Sequence, residues 1–452
     1  MPMRLLSRIH PSSLKLLGHG FWMSLASGFT GVEAIVRSLI VANFLGASGY
    51  AVYALALAFN RPVAELLDAN FGASLVRFGA EFQASEDRQS YLAIVKFFFL
   101  LTTICASLAV VINTVLILFA KQTFFDESWL TFYLVLLAFG LSLRLFETLL
   151  RTVLIMHDKY KTTAALSITK SSFSILAVLI VAAVYDASLE AILVVTLATL
   201  FLSPIMYLIV VLTQLREPLR GVSSATLSSL RGRVLEITKF TFGNSLAKTL
   251  ESSTKSCDIL LLGAFGSPLA IAIYDLSKKM GNVFFMMKDP IVVSIFPHAA
   301  RLISGKRYSE LFQTLKGMYV VAAIPICCVV LGIFLFSGRV LRLFSPELSD
   351  PGWTPTVVMI RNMIPLVFFW SAPLILSLSL IRAQLAIRAV STIAGFAVAW
   401  ALVSAHEDLG VAFGMLLGVI VGEALTVIFC LRRIKSELSD SCANETIACS
   451  KA

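Results

Sequence analysis

Apolar runs long enough to cross a bilayer recur about every 35 residues from one end of the chain to the other. A helix spans the hydrocarbon with about 17–25 mostly apolar residues. On that criterion the pattern predicts spans at 20–44, 49–72, 91–119, 129–150, 163–185, 190–213, 240–264, 269–296, 311–336, 356–380, 389–405 and 409–431. The short polar connections alternate in chemistry. Lys and Arg concentrate in the N-terminal stretch, in the loops after spans 2, 4, 6, 8 and 10, and in the C-terminal tail, whereas the opposite loops carry Lys121, Arg339 and Arg342. The positive-inside rule therefore places both termini in the cytoplasm and requires an even number of spans. The basic N-terminal stretch, with Arg4, Arg8 and Lys15, leads into a long span without a small-residue cleavage site and reads as a retained first helix.

The longest polar connection divides the spans into equal halves. The expected organisation is an N-terminal six-helix lobe (1–215), a cytoplasmic linker (216–239) and a C-terminal six-helix lobe with a cytoplasmic tail (240–452). An internal echo marks the same division. Leu45-Gly46 followed by Tyr53 near the start of span 2 is matched by Leu262-Gly263 followed by Tyr274 near the start of span 8. Both halves begin on the inside, so the repeat is expected to be parallel, about an axis along the membrane normal.

Composition agrees with the pattern and removes other classes. The 452 residues are 58% hydrophobic and 14% charged, against roughly 25% charged in ordinary soluble domains. The mean hydropathy is +0.87. Twelve crossings leave little chain for a soluble domain. The net charge of +10 follows the loop topology rather than a patch, so nucleic acid is not an expected partner. Five of the seven Cys lie in apolar runs (Cys105, Cys257, Cys327, Cys328, Cys430), and Cys442 and Cys449 lie in the tail. Free thiols are expected.

The informative charges are those inside the spans, where an ionisable group costs about 2.5–3.5 kcal/mol even on insertion scales. The spans hold Arg37, Arg61, Arg144, Lys170, Lys248, Lys255, Lys278, Lys279, Lys288, Lys316 and Arg361, together with the acids Glu33, Glu65, Asp68, Glu147, Glu251, Asp258, Asp275, Asp289 and Glu423. Some have partners at helical spacing: Glu33 with Arg37, Arg61 with Glu65, and Arg144 with Glu147. Span 7 carries a continuous stripe, Asn244, Lys248, Glu251, Lys255 and Asp258, spaced four and three residues apart. Span 8 repeats it with Asp275, Lys278, Lys279, Asn282 and Asp289, and span 5 does so more weakly with Thr163, Ser167, Lys170 and Ser174. Helices with one polar face pack around a wet interior, and the stripes are too long to be snorkelling ends. The expected fold is an all-α integral membrane protein of about 12 transmembrane helices in two six-helix lobes around a central, amphoteric but cationic-leaning cavity. The candidate substrate-binding residues are Arg37, Arg61, Lys248, Lys255, Arg361, Asn244, Lys170 and Lys278, and Glu33, Glu65 and Asp258 are candidates for a coupling proton or cation.

Several segments resemble a known family. The run Phe44-Leu45-Gly46-Ala47-Ser48-Gly49-Tyr50-Ala51-Val52-Tyr53 is similar to the opening signature of polysaccharide biosynthesis proteins, the lipid-linked oligosaccharide flippases. Asp68-Ala69-Asn70-Phe71-Gly72 resembles the family's end of span 2, with Asn70 standing where an acid is common. Asp258-Ile259-Leu260-Leu261-Leu262-Gly263, then Tyr274, then Phe296-Pro297, resembles its span 7–8 signature. The resemblance implies a superfamily shared with multidrug antiporters and peptidoglycan-precursor flippases, working by alternating access. It implies export of an undecaprenyl-diphosphate-linked glycan from the cytoplasmic to the periplasmic leaflet of the bacterial inner membrane. Membrane lipid, a polysaccharide polymerase and its assembly machinery are the implied partners.

Two rivals differ in their chemistry. A cation-exporting antiporter should have an acidic, aromatic cavity, whereas these spans lean basic. A membrane enzyme acting on polyprenyl-linked sugars should have a sizeable external loop with catalytic groups. The largest outside loop, 337–355, is short, and His406-Glu407-Asp408 is a three-residue turn. No metal cluster, nucleophile–base pair or Gly-rich phosphate loop stands out in the sequence, so neither an enzymatic role nor a cofactor is expected.

Overall fold

The computed structural model describes residues 11–68, 71–124, 128–184, 188–230, 232–242, 256–282, 350–371 and 380–450, with residues 310, 348, 374 and 375. Among them the secondary structure is helical, with no strand. In chain order the helices are α1 (Pro11–Leu67), α2 (Phe71–Ala84), α3 (Arg88–Phe124), α4 (Ser128–Met156), α5 (Tyr160–Val184), α6 (Leu189–Gln214), α7 (Cys257–Phe265), α8 (268–282), α9 (Thr354–Val367) and α10 (Ile381–Ser450). Six segments among the described residues are long and apolar enough to cross a membrane. Two of these are double length, and each is broken where the sequence places a loop. Gly46 interrupts α1 at φ 68°, and Glu407 interrupts α10 at φ 42°. Glycine takes that left-handed conformation without a Cβ clash. Spans 1–6, 11 and 12 therefore each have a helix of matching position. Parts of spans 7, 8 and 10 correspond to α7, α8 and α9, and span 9 lies outside the described residues.

The helices are apolar outward, as a lipid solvent allows. On α3, Ile104, Leu108, Val111, Val115 and Leu118 are all exposed at spacings of four and three. The opposite face buries Thr102, Cys105, Ala109, Asn113 and Ile117. In water such a stripe would mark a binding surface; on a membrane helix it is the lipid face.

Among the described residues the chain forms two compact units, one up to Ala264 and one from Phe265 onward. The first is built on an aromatic and aliphatic core at one end of the helices. It joins Phe71, Leu75 and Phe78 of α2, Ile94 and Phe98 of α3, Leu149 and Val153 of α4, and Tyr207 and Val211 of α6. The stretch expected as a linker takes part in this core. Leu230 and Ile237 are buried in it, with Leu219 and Val222 packed alongside. Polar clasps hold the same stretch down. Lys96 Nζ donates to the carbonyls of Ser223 (2.6 Å) and Ala225 (2.9 Å). Arg88 donates to the Glu217 carbonyl at 3.1 Å, and Arg233 pairs with Glu81 at 2.9 Å. The loops after spans 2 and 6, both assigned to the inside from their charge, thus meet at one end of this unit. His157 after span 4 joins them, 3.4 Å from the Tyr91 hydroxyl. At the other end, the Tyr133 hydroxyl donates to Glu190, bringing together the starts of α4 and α6.

The second unit shows the same sorting of loops. Glu407 Oε2, in the turn after span 11, accepts from the Ser267 hydroxyl at 2.6 Å and from its N–H at 3.3 Å. Ser267 in turn caps α8 by accepting from Ala270 N–H at 3.3 Å. The two halves of α10 pack back to back through small residues. Gly410, Gly414, Gly418 and Gly422, four apart, face Ser391, Gly395, Ala399 and Leu402. A Cβ on Gly414 would lie 2.4 Å from the backbone N of Ala399, and one on Gly418 would lie 2.8 Å from the Ser391 carbonyl oxygen. Backbone approach of this kind gives the van der Waals contact that replaces the hydrophobic effect between helices in lipid.

Two measurements check this architecture. Gly414→Val forces the halves of α10 apart and should lower the melting temperature of the purified protein, an overpacking cost of about 1–3 kcal/mol; a variant melting with the parent would refute the close contact. Asp87 caps α3 by accepting from Ser90 N–H at 3.0 Å. The Ser90 hydroxyl and N–H hold its carboxyl below the usual aspartate value of 3.8. A lowered folded-state value stabilises the protein above the unfolded value, and that contribution is lost as pH falls through the folded value. The melting-temperature gap between the parent and Asp87→Ala should therefore be constant near neutral pH and close as pH falls below the usual aspartate value.

Candidate functional site

The first unit contains two charge networks within its spanning helices, each linking helices far apart in sequence. Arg37, on the first half of α1, reaches α5 and α6. Its Nη2 donates to Thr196 Oγ1 at 2.5 Å, and its Nη1 donates to Ser174 Oγ at 3.4 Å. The Ser174 hydroxyl in turn donates to Glu33 Oε1 at 2.7 Å, and Glu33 lies 3.9 Å from Arg37 Nη1. The Tyr53 ring faces the guanidinium at 5.9 Å from its centroid. The pair expected along one helix is thus the centre of a network joining three. Its chemistry is neutralised locally: one cation, one carboxylate and the Ser174 hydroxyl between them, while the Thr196 hydroxyl accepts from Arg37 and donates to the Ile192 carbonyl.

The second network pairs Lys170 on α5 with Glu147 on α4. Lys170 Nζ donates to both carboxylate oxygens, at 2.8 and 3.0 Å. The spacing of Arg144 and Glu147 allowed a pair along α4, but Glu147 instead reaches across to the neighbouring helix. An ammonium with both oxygens in reach is a closer counter-charge than a same-helix guanidinium. In a low-dielectric surrounding the shorter contact dominates.

Arg61 and Arg144 are placed differently. Together with Ala64, Glu65, Asp68, Leu141, Leu145 and Thr148 they line a cavity of about 210 Å³ between α1 and α4. Arg61 and Glu65 do lie on one face of α1, as their spacing of four requires, and that face is a cavity wall. Arg61 Nε is buried there with no hydrogen-bond partner among the described residues. Pro62 starts the turn of α1 that carries this wall, and its missing N–H leaves the helix one ladder bond short at that point.

In the second unit the charges gather on α8 and α9. Asp275 and Lys279 pair at 2.8 Å along α8. Lys278 is buried, with its Nζ 5.8 Å from the centroid of the Tyr274 ring. Arg361 on α9 is also buried and donates to the Tyr274 hydroxyl at 3.0 Å. The two helices touch closely here, since a Cβ on Gly281 would fall 2.0 Å from Asn362 Nδ2.

Of the residues singled out from sequence, Arg37, Glu33 and Lys170 lie in networks that join helices, and Arg61 and Glu65 line the cavity. Lys278 and Arg361 meet at Tyr274. Asp258 is fully buried in the first turn of α7, where its Oδ1 accepts from Ile259 N–H at 2.8 Å; a carboxylate is favoured at a helix N-terminus. Asn244, Lys248 and Lys255 lie outside the described residues. Sequence reasoning passed over Thr196, which receives Arg37, and Thr148, which lines the cavity. A signal for Thr196 did exist, because Thr196, Thr199 and Ser203 put a hydroxyl stripe on the otherwise apolar span 6, and all three are buried. The echoed glycines also serve different ends: Gly46 makes a turn, whereas Gly263 is helical and lets Leu55 approach to 2.3 Å of its absent Cβ.

Replacing Lys170 by Met leaves the Glu147 carboxylate without its ammonium and should destabilise the protein, by less than the roughly 3–5 kcal/mol of a fully buried pair because both side chains are only part-buried. Removing both charges in Lys170→Met/Glu147→Leu should restore most of that loss. Thermal unfolding of the two singles and the double closes the cycle, and additive losses would show that the pair is not coupled.

Comparisons with known proteins agree with this construction. The sequence profile described as polysaccharide biosynthesis protein matches residues 16–303. No curated protein matches the chain significantly by sequence. Among solved structures, an inward-facing multidrug resistance MATE family transporter of the MOP superfamily is similar at a TM-score of 0.73, with 14% identity over 90% of this chain and 95% of the other. An outward-facing form of such a transporter is similar at 0.65, with 13% identity over 93% and 96%. The lipid II flippase MurJ in an inward closed conformation is similar at 0.64, with 12% identity over 91% and 88%. At these identities the likeness is one of fold: an all-α membrane transporter fold of about twelve helices. The profile match covers well over half of the chain, and the chain belongs to the polysaccharide biosynthesis protein family.

Proposed function

We propose that the protein flips a polyprenyl-diphosphate-linked oligosaccharide from the cytoplasmic to the periplasmic leaflet of a bacterial inner membrane, by alternating access and with both termini in the cytoplasm, for surface polysaccharide assembly. The family supports a transporter of the polysaccharide pathway. The observation that carries the cargo is the set of cations built into spanning helices of both units: Arg61 and Arg144 line the cavity of one, and Lys278 and Arg361 are buried at Tyr274 in the other. A diphosphate cannot cross hydrocarbon without counter-charge. Guanidinium forks and ammonium groups supply it as charge-assisted hydrogen bonds, while the polyprenyl tail stays in lipid. Lys248 and Lys255 extend the same lining on span 7 in this reading, and Asn244 and the serines near it suit sugar hydroxyls.

Ion-coupled export of a small molecule is the second reading, and the carboxylates Glu65 and Asp68 in the cavity wall favour it.

In a host strain lacking the protein, the quadruple variant Arg37→Gln/Arg61→Gln/Lys248→Gln/Lys255→Gln should reach the membrane at parental level and fail to restore surface glycan. Full glycan production by that variant would refute the cationic lining. Accumulation of lipid-linked glycan on the cytoplasmic side, measured in inverted vesicles, separates flipping from drug export.

A further inference from the structure

We infer that Arg144 binds the cargo's diphosphate in the first unit, and that Lys170 is a positioning residue which keeps Arg144 available by occupying Glu147. The inference rests on the flippase reading and assigns a phosphate contact of that cargo to α4. Arg144 is exposed and lines the cavity between α1 and α4. It lies roughly 18 Å from the end of α4 at Met156, at 1.5 Å per residue. That is too deep for its head group to snorkel out of the membrane. A guanidinium at that depth cannot face hydrocarbon, so its open side faces water. It forms no hydrogen bond or ion pair among the described residues.

Glu147 is the acid that local spacing would give it. The two stand at i,i+3 on α4, where opposite charges pair along a helix. Arg144 is also near enough to act electrostatically on Glu147 and Lys170 alike. Lys170 pre-empts the pairing, because its Nζ holds both carboxylate oxygens, at 2.8 and 3.0 Å. The acids on the facing wall, Glu65 and Asp68, have interaction partners beyond this lining. Arg144, Glu147 and Lys170 together thus carry one uncompensated positive charge, and the geometry leaves it on Arg144. A guanidinium offers its donors as a fork matched to two phosphate oxygens. An ammonium already holding a carboxylate through two of its three donors is the poorer ligand. Loss of Lys170 therefore acts through its neighbour: Glu147 turns to Arg144 along α4 and cancels the charge the cargo needs.

The purified full-length protein in nanodiscs is titrated with polyprenyl diphosphate bearing no sugar, with polyprenol as the uncharged control, and binding is followed by tryptophan fluorescence. Arg144→Gln should weaken polyprenyl diphosphate about tenfold, the loss of one charge-assisted hydrogen bond. Lys170→Met should show the same loss, whereas Lys170→Arg still occupies Glu147 and should bind close to the parent. Two double variants decide between positioning and structure. Lys170→Met/Glu147→Gln should recover most of the parental affinity, because no carboxylate remains to claim Arg144, and it leaves no charge stranded by a misfolded single. Arg144→Gln/Lys170→Met should bind no more weakly than Arg144→Gln, since a merely structural defect would add to the loss. Parental binding by Arg144→Gln would overturn the inference and leave the flippase reading standing. A Lys170→Met/Glu147→Gln variant that folds and binds as weakly as Lys170→Met would overturn it as well, by making Lys170 itself a ligand. If the parent binds polyprenyl diphosphate no better than polyprenol, the flippase reading falls and this inference with it.

Discussion

A charge inside hydrocarbon must be matched by another charge, by hydroxyls or by water, and the interior of this protein is organised around that demand. In the first unit the demand is met twice by joining helices. Arg37 draws α5 and α6 toward α1 through Ser174 and Thr196, and Lys170 draws α5 toward α4 through Glu147. Lipid offers no hydrophobic drive between helices, so these polar ties, with the small-residue contacts, set which helices are neighbours. Where the demand is met by a cavity instead, as at Arg61 and Arg144, the same physics makes a place for a guest.

The helix ends follow a complementary rule. Loops assigned to one side from their charge converge there in the structure. Arg88 and Lys96 satisfy carbonyls of the segment 217–225, and Arg233 meets Glu81. The basic residues concentrated in these loops thus also hold that end of the unit together. Their hydrophobic partners Leu230 and Ile237 are buried in the same core. The segment after α6 is consequently part of the first unit.

These two uses of charge bear on the cargo. Ion pairs closed within the protein, such as Lys170 with Glu147, stabilise the helix arrangement and are already neutral. Cations gathered on α8 and α9 near Tyr274 suit an anion.

The hydrophobic pattern alone determined the helical membrane class, the positions of eight spans and the loops at Gly46 and Glu407, because a bilayer imposes length and apolarity directly on sequence. The alternation of basic loops foretold which loops share an end of each unit. Partner choice was beyond the pattern. Helical spacing allowed Arg144 to pair with Glu147 and Arg61 with Glu65, but spacing describes one helix at a time. Only tertiary packing brought Lys170 to Glu147 and Thr196 to Arg37, and turned the Arg61 face into a cavity wall. The same holds for the stretch 216–239, read from its polar composition as a cytoplasmic linker, whose few apolar residues pack into a core shared by five helices. Local spacing is written in one dimension. The counter-charge that wins is the one that folding brings closest.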